Sequence, residues 1–147
     1  MLPRWHILLG AALAILFWIV SPSMKLIHLL LFFFSSFLID FDHYVVSLMK
    51  TKKFSLRESF KYHEKEKLKE EKEIVKGIRK KGDFHLFHTI EFHFLVGIFG
   101  FVWVGFFYVF MGMVFHSLLD VIDLLRRGAF HRREYFFFGW WKKRFLD

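Results

Sequence analysis

The chain has 147 residues, a formal net charge of +8, 55% hydrophobic residues and no cysteine. This length suits a single domain, and without cysteine there can be no disulfide, thiolate metal site or thiol nucleophile. Aromatic residues make up 22% of the chain, and the apolar residues lie in long runs, which is typical of membrane spans rather than of a soluble core.

Two apolar runs at the start of the chain predict transmembrane helices at about 3–20 and 24–40. Pro22 lies between them and cannot continue a helix, so we expect a turn there. Each run is slightly short for a span of about 20 residues. The first also resembles a signal peptide, with Arg4 ahead of an apolar core and small serines behind it. Pro22 and the second apolar run disfavour cleavage.

A loop of dense, mixed charge follows at about 44–84, and we predict that it is cytoplasmic and helical. Ser55 and Glu58 have the spacing of a capping box, so a helix is expected to begin there. Of the 22 Lys and Arg residues, 13 lie between positions 50 and 81, and 7 lie from Arg126 onward. Such flanks face an anionic membrane leaflet. The expected partners are therefore membrane lipids with anionic headgroups, and no nucleic acid.

The longest apolar region covers residues 84–125. As a single helix it would be about 60 Å long, twice the thickness of the hydrocarbon core of a bilayer. We therefore predict two antiparallel spans, at about 86–103 and 106–125, with a tight turn near Gly105.

The last segment, 128–147, mixes cations with aromatic rings and is predicted to be an interfacial tail. Gly128 is expected to end the preceding helix. The sequence thus predicts an all-α integral membrane protein with a single membrane domain over 1–147. About four transmembrane helices form a bundle with a charged cytoplasmic helical hairpin loop. The predicted location is the cell membrane, multi-pass, with both termini cytoplasmic.

Polar residues of the kinds that bind metals occur at three span ends, which this topology brings to one side of the membrane. They are Asp40, Asp42 and His43 after the second span, His85, His88, Glu91 and His93 at the third, and His116, Asp120 and Asp123 in the fourth. Charged groups in a bilayer usually have a partner or a function. Imidazoles and carboxylates bind zinc, manganese or iron, so we predict a site for one or two ions.

Each of these residues also has a simpler structural interpretation. His116 and Asp120 share a helical face at i, i+4 and could be a hydrogen-bonded pair that joins two helices. We interpret His6, His28 and His131 as amphipathic residues at the membrane interface.

The order of these motifs resembles the YdjM-like family of membrane-bound metal-dependent hydrolases. The segment 40–43 looks like the family's Asp-x-Asp-His, and 116–120 looks like its His-x-x-x-Asp. Between them, His88 and His93 keep the two histidines of a His-Arg-Gly-x-Thr-His-Ser motif. Thr89, Ile90 and Phe94 stand where that motif has Arg, Gly and Ser.

The resemblance implies hydrolysis, and a more distant similarity to helical zinc phosphodiesterases such as bacterial phospholipase C implies a phosphoester. The Arg missing at Thr89 would be the natural phosphate clamp. Arg126, Arg127 or the basic loop are the substitutes that the sequence offers.

Our leading hypothesis is a metal-dependent hydrolase acting at the cytoplasmic interface on a phosphoester of a lipid or lipid-linked molecule. The cofactor is a divalent ion, zinc first, with manganese or iron as alternatives. The expected ligands are Asp40, Asp42, His88, His93, His116 and Asp120, with His43 as a ligand or as the partner that orients one. Glu91 and Asp123 are the candidate general bases.

Two alternatives belong to other classes. The polar cluster could be structural in a non-enzymatic membrane protein whose charged loop binds a partner. A di-iron lipid oxidase would also group histidines at cytoplasmic helix ends, but such enzymes carry adjacent histidines, which this sequence lacks.

Overall fold

The computed structural model describes residues 3–146, and within that range the chain is helical, without strands. The α-helices are α1 Pro3–Val20, α2 Leu26–Leu38, α3 Phe41–Thr51, α4 Leu56–Val75, α5 Ile90–Phe99, α6 Val104–Arg126 and α7 Phe137–Phe145. Two short 3-10 turns, Leu86–His88 and Phe130–Arg132, precede α5 and α7. The predicted all-α class is therefore confirmed.

Two helical stretches are long and apolar enough to cross a membrane. One is Leu26–Thr51, in which α3 follows α2 almost without a break, and the other is Val104–Arg126. Two further apolar helices, Arg4–Val20 and Ile90–Phe99, are shorter. The ten residues of α5 extend only about 15 Å, half of a bilayer's hydrocarbon core. Of the four predicted spans, two thus have the length of a span.

Among the described residues, buried polar residues outnumber buried hydrophobic ones, and many large hydrophobic side chains are exposed. The buried hydrophobic residues are Leu29, Phe32, Ile39, Met113, Leu124 and Ala129. The buried polar or charged residues are His6, Ser36, Asp42, Ser47, Ser59, His88, Thr89, His93, His116, Asp120 and Arg132. Large apolar side chains such as Trp18, Val20 and Phe101 are exposed. A water-soluble domain has the opposite distribution, so this surface suits apolar surroundings.

Helix α6 packs most extensively on α2, and a glycine makes this contact close. A Cβ atom on Gly112 would clash with the Ser35 hydroxyl and the Phe32 carbonyl oxygen, and would lie 3.1 Å from the Ser36 nitrogen. On the other side of α2, Gly10 of α1 lies against the Ser36 hydroxyl. Small residues at such crossings let helices approach closely, as they do in membranes.

Several boundaries differ from the sequence prediction. Helix α3 occupies residues assigned to the start of the loop, and the turn before α6 lies at 100–103 rather than near Gly105. Helix α4 follows Ser55 as predicted, but Ser55 makes no capping bond. Glu58 instead bonds Lys53 and Lys61, each at 3.1 Å. Gly128, with φ of +65°, follows the end of α6 as predicted.

The segment between α6 and α7 is hydrogen-bonded to the rest of the fold. The Gly82 N–H donates to the Arg132 carbonyl at 2.8 Å, and the Ile90 N–H donates to the Tyr135 carbonyl at 2.9 Å. The buried Arg132 guanidinium donates to Glu73 of α4 at 2.6 Å, and this hydrogen bond lowers the pKa of Glu73. The neighbouring Arg133 is thereby directed into the helix bundle.

We expect Gly112→Ala to destabilise the protein, because the added methyl group has no room between α6 and α2. Overpacking of this kind costs about 1–3 kcal/mol, so the Tm in detergent should fall by several degrees. The matched control is Gly97→Ala in α5, where the nearest atom to a Cβ is a Phe110 ring carbon at 3.4 Å. Equal Tm values for the two variants would show that the α2–α6 contact is not close in solution.

Candidate metal centre

Two imidazoles face each other at the centre of the bundle. His88 lies at the end of the 3-10 turn before α5, His116 lies in α6, and their Nε2 atoms are 3.2 Å apart. Both side chains are fully buried. The close approach of α6 to α2 at Gly112, one turn before His116, places the ring beside the α2 backbone.

Two carboxylates complete a four-membered group whose ligand atoms converge. Asp40 Oδ1 lies 3.3 Å from His116 Nε2 and 3.6 Å from His88 Nε2. Asp120 Oδ2 lies 3.5 Å and 3.8 Å from the same two atoms. Tetrahedral zinc, about 2.0–2.2 Å from each ligand, would separate the ligand atoms by about 3.3–3.6 Å. These four residues could therefore hold a metal ion.

The proton positions on the two rings explain why a cation belongs between them. His88 Nδ1 lies 3.1 Å from Asp42 Oδ2, and His116 Nδ1 lies 2.9 Å from the Ser36 carbonyl oxygen. Both oxygens only accept hydrogen bonds, so each Nδ1 must donate. Two neutral imidazoles then point their Nε2 lone pairs at one another. Either an extra proton or a metal ion must relieve that repulsion.

The partners on Nδ1 have the form that orients histidine ligands in metal proteins. Metal-bound imidazoles almost always donate their other N–H to a carboxylate or a carbonyl. Asp42 Oδ2 also accepts the Phe87 N–H at 3.0 Å, which fixes the carboxylate. The Asp42–His88 pair therefore holds the ring in one orientation.

The charges at the centre also leave a place for a divalent cation. The carboxylates of Asp40, Asp42 and Asp120 lie around the two rings, and one guanidinium, from Arg133, reaches Asp120 Oδ2 at 2.7 Å. Carboxylates buried away from water are costly unless cations lie beside them, and a divalent ion between these carboxylates would offset part of that cost.

Further histidines lie beside the centre, on the side where α3 packs. His43 Nε2 is 3.5 Å from Asp40 Oδ1, and its ring lies against that of His85, with the centroids 3.7 Å apart. His63 of α4 donates to the His43 carbonyl at 2.9 Å. Burial lowers the pKa of His85 to about 4, so this ring is neutral at pH 7. Asp42, His43 and His88 form a second group with metal-ligand spacing.

Among the described residues, three of the predicted site residues are not in either converging group. His93 Nδ1 donates to the Thr89 carbonyl at 2.9 Å, and its Nε2 lies 2.9 Å from the Ser117 hydroxyl. Glu91 accepts the Phe137 and Phe138 N–H groups at 2.9 and 3.3 Å, at the start of α7. Asp123 pairs with Arg127 at 2.9 Å.

Three further groups at the centre were not predicted from the sequence. His6, interpreted as an interfacial residue, is fully buried, stacks on His116 at 3.9 Å and places Nε2 3.2 Å from Asp120 Oδ1. Arg133 and the Ser36 carbonyl were also not foreseen. For His6 a signal existed, because the topology predicted from the sequence brings the first turn of this helix to the same end as the three clusters.

No family model matches the sequence, and no curated protein or solved structure matches the chain. The resemblance to the YdjM-like hydrolases therefore stays a prediction. The chemistry of the centre rests on its own residues.

We expect the purified, tag-free protein to bind a divalent metal stoichiometrically and His116→Ala to lose it. Asp42→Asn keeps all four ligands but weakens the bond that orients His88, so its metal affinity should fall about 10–100-fold. Chelator competition and elemental analysis measure both effects.

The matched control is His28→Ala, because His28 stacks on Tyr108 and is in neither converging group. This variant should bind metal like the wild type. Equal metal content in the wild type and His116→Ala would contradict the assignment.

Proposed function

We propose that the protein is a membrane-bound metal-dependent hydrolase that acts at the cytoplasmic interface on a phosphoester of a lipid or lipid-linked molecule. The observation that carries the proposal is the facing pair of imidazoles with Asp40 and Asp120, beside a guanidinium and an apolar cavity. The apolar surface and the two helices of spanning length support the membrane location.

In this proposal the ion is zinc, with manganese or iron as alternatives, held by Asp40, His88, His116 and Asp120. Such an ion lowers the pKa of bound water and polarises a phosphoryl oxygen. The Asp40 side chain is 20% exposed, whereas the two histidine side chains are fully buried. Water can therefore reach the centre on the Asp40 side.

Arg133 is the candidate phosphate clamp. Thr89, at the position of the motif's Arg, is fully buried and donates to the Leu86 carbonyl at 2.8 Å, so a long cationic side chain has no room there. Arg133 comes from the segment before α7, reaches Asp120 and lines the cavity beside His88. A guanidinium binds phosphate oxygens in a bidentate manner. The basic flanks would concentrate anionic lipids near this site.

His43 is the group best placed to accept a proton from the attacking water. Its side chain is 28% exposed and lies 3.5 Å from Asp40 Oδ1, on the accessible side of the centre. The sequence favoured Glu91 and Asp123 for this role. Glu91 instead accepts two backbone N–H groups of α7, and Asp123 pairs with Arg127.

One observation favours a second candidate, a structural metal site in a non-enzymatic membrane protein. Four protein ligands fill a tetrahedral zinc shell, as they do in structural sites, whereas catalytic zinc usually keeps one position open. The charged helix α4 would then bind a partner. In that case the metal would raise the Tm without any turnover.

We expect the metal-loaded protein to hydrolyse a chromogenic phosphodiester such as bis(p-nitrophenyl) phosphate and His116→Ala to lose this activity. Arg133→Gln should keep its metal and lower kcat/KM about 10–100-fold, because one charge-assisted phosphate contact is lost. The control is Arg144→Gln, which removes an exposed cation from the end of α7. Stoichiometric metal, a raised Tm and no phosphoester turnover would favour the structural alternative.

A further inference from the structure

A cavity of about 400 Å³ lies between α5 and α6 and reaches the candidate metal centre. Its volume falls within the range of about 300–1,000 Å³ that is typical of ligand sites. Its polar end is formed by His88, Arg133 and Tyr135. The remaining lining residues are Ile90, His93, Phe94, Phe110, Val114, Ser117, Leu118 and Val121. The cavity therefore joins an end that carries the Arg133 guanidinium to a long apolar wall.

The apolar wall follows a single face of α6. Phe110, Val114, Leu118 and Val121 recur at helical spacing, and from Phe110 to Val121 the helix rises about 16 Å. Over that length, a volume of about 400 Å³ corresponds to a mean cross-section of about 25 Å². A hydrocarbon chain, about 4 Å wide from carbon contact distances, fits this space. A helix 10–12 Å wide does not.

The two polar side chains within the wall are already hydrogen-bonded. His93 Nε2 and the Ser117 hydroxyl lie 2.9 Å apart, so neither requires a polar group from an occupant. The wall opens sideways to the molecular surface, where Phe94 is 68% exposed and Leu118 is 57% exposed. An apolar chain can thus enter from the apolar surroundings without crossing water.

We propose that this groove binds the hydrocarbon chain of an anionic alkyl or prenyl phosphate, with the phosphate at Arg133 and the chain along α6. This inference rests on the proposed function and names its substrate class. Charge complementarity orients the occupant, because the Arg133 guanidinium and the candidate metal ligand His88 lie at one end of the groove and apolar side chains such as Phe110 lie at the other. Ligands with a polar tail are excluded, since the wall offers no free polar partner among its lining residues.

The groove can be tested without turnover by photolabelling. The zinc-loaded protein is reconstituted in phosphatidylcholine nanodiscs with dodecyl phosphate that carries a diazirine at the far end of the chain. Mass spectrometry of the digest should find the label on α6 around Phe110 and Val114. The same diazirine probe with an alcohol in place of the phosphate should label these residues at least fivefold less, because it lacks the phosphate that Arg133 holds.

Two matched variants separate groove binding from general lipid contact. Leu118→Trp fills the groove from an exposed position and should reduce labelling at least fivefold. Ile122→Trp adds the same bulk at a position that is 53% exposed and outside the groove, and it should label like the wild type. Equal labelling of the Leu118→Trp and Ile122→Trp variants would overturn the proposal. So would labelling of the wild type by the alcohol that equals labelling by the phosphate. A labelled species that is a dimer of the chain would overturn it as well.

Turnover distinguishes failure of the groove from failure of the proposed function. With alkyl p-nitrophenyl phosphates of increasing length, kcat/KM should rise about two- to fourfold per methylene until the chain fills the groove. Hydrolysis that is independent of chain length would overturn the groove and leave the hydrolase proposal standing. Specific labelling without any hydrolysis would support the groove and contradict the hydrolase.

Discussion

The structure depends on the approach of two imidazole nitrogens, His88 Nε2 and His116 Nε2, across the centre of the bundle. The Nδ1–H of each ring donates to an acceptor on another element. His88 donates to Asp42, and His116 donates to the Ser36 carbonyl. Helices in apolar surroundings gain little from burying apolar surface, so close packing and polar contacts must hold them together. Here α1, α2, α3 and α6 all reach the same polar centre, which takes the place of an apolar core.

That constraint explains how much could be predicted from the sequence. The helical class and the convergence of the polar clusters follow from local patterns, because the apolar runs and the breaks between them determine which helix ends meet. Asp40, His88, His116 and Asp120 were all foreseen in this way. The contact of Arg133 with Asp120 depends on how the segment after α6 folds back, and no local pattern encodes it.

The prediction for His93 illustrates a different limit. His88 and His93 are five residues apart, and on a helix such residues lie about 140° apart, on different faces. In the structure His88 precedes α5 in a 3-10 turn and points to the centre, whereas His93 lies within α5 and bonds Ser117 of α6. Glu91 was assigned from its neighbours in the sequence. Its actual partners lie 46 and 47 positions later.

The adjacent residues Arg132 and Arg133 bind carboxylates on two different helices. Arg132 fastens its segment to α4 through Glu73, and Arg133 enters the centre through Asp120. These two side chains leave the same segment in different directions, so one short stretch of backbone connects the charged helix α4 to a candidate metal ligand. A substitution at Glu73, far from the centre in sequence, would therefore act on the centre through the position of Arg133.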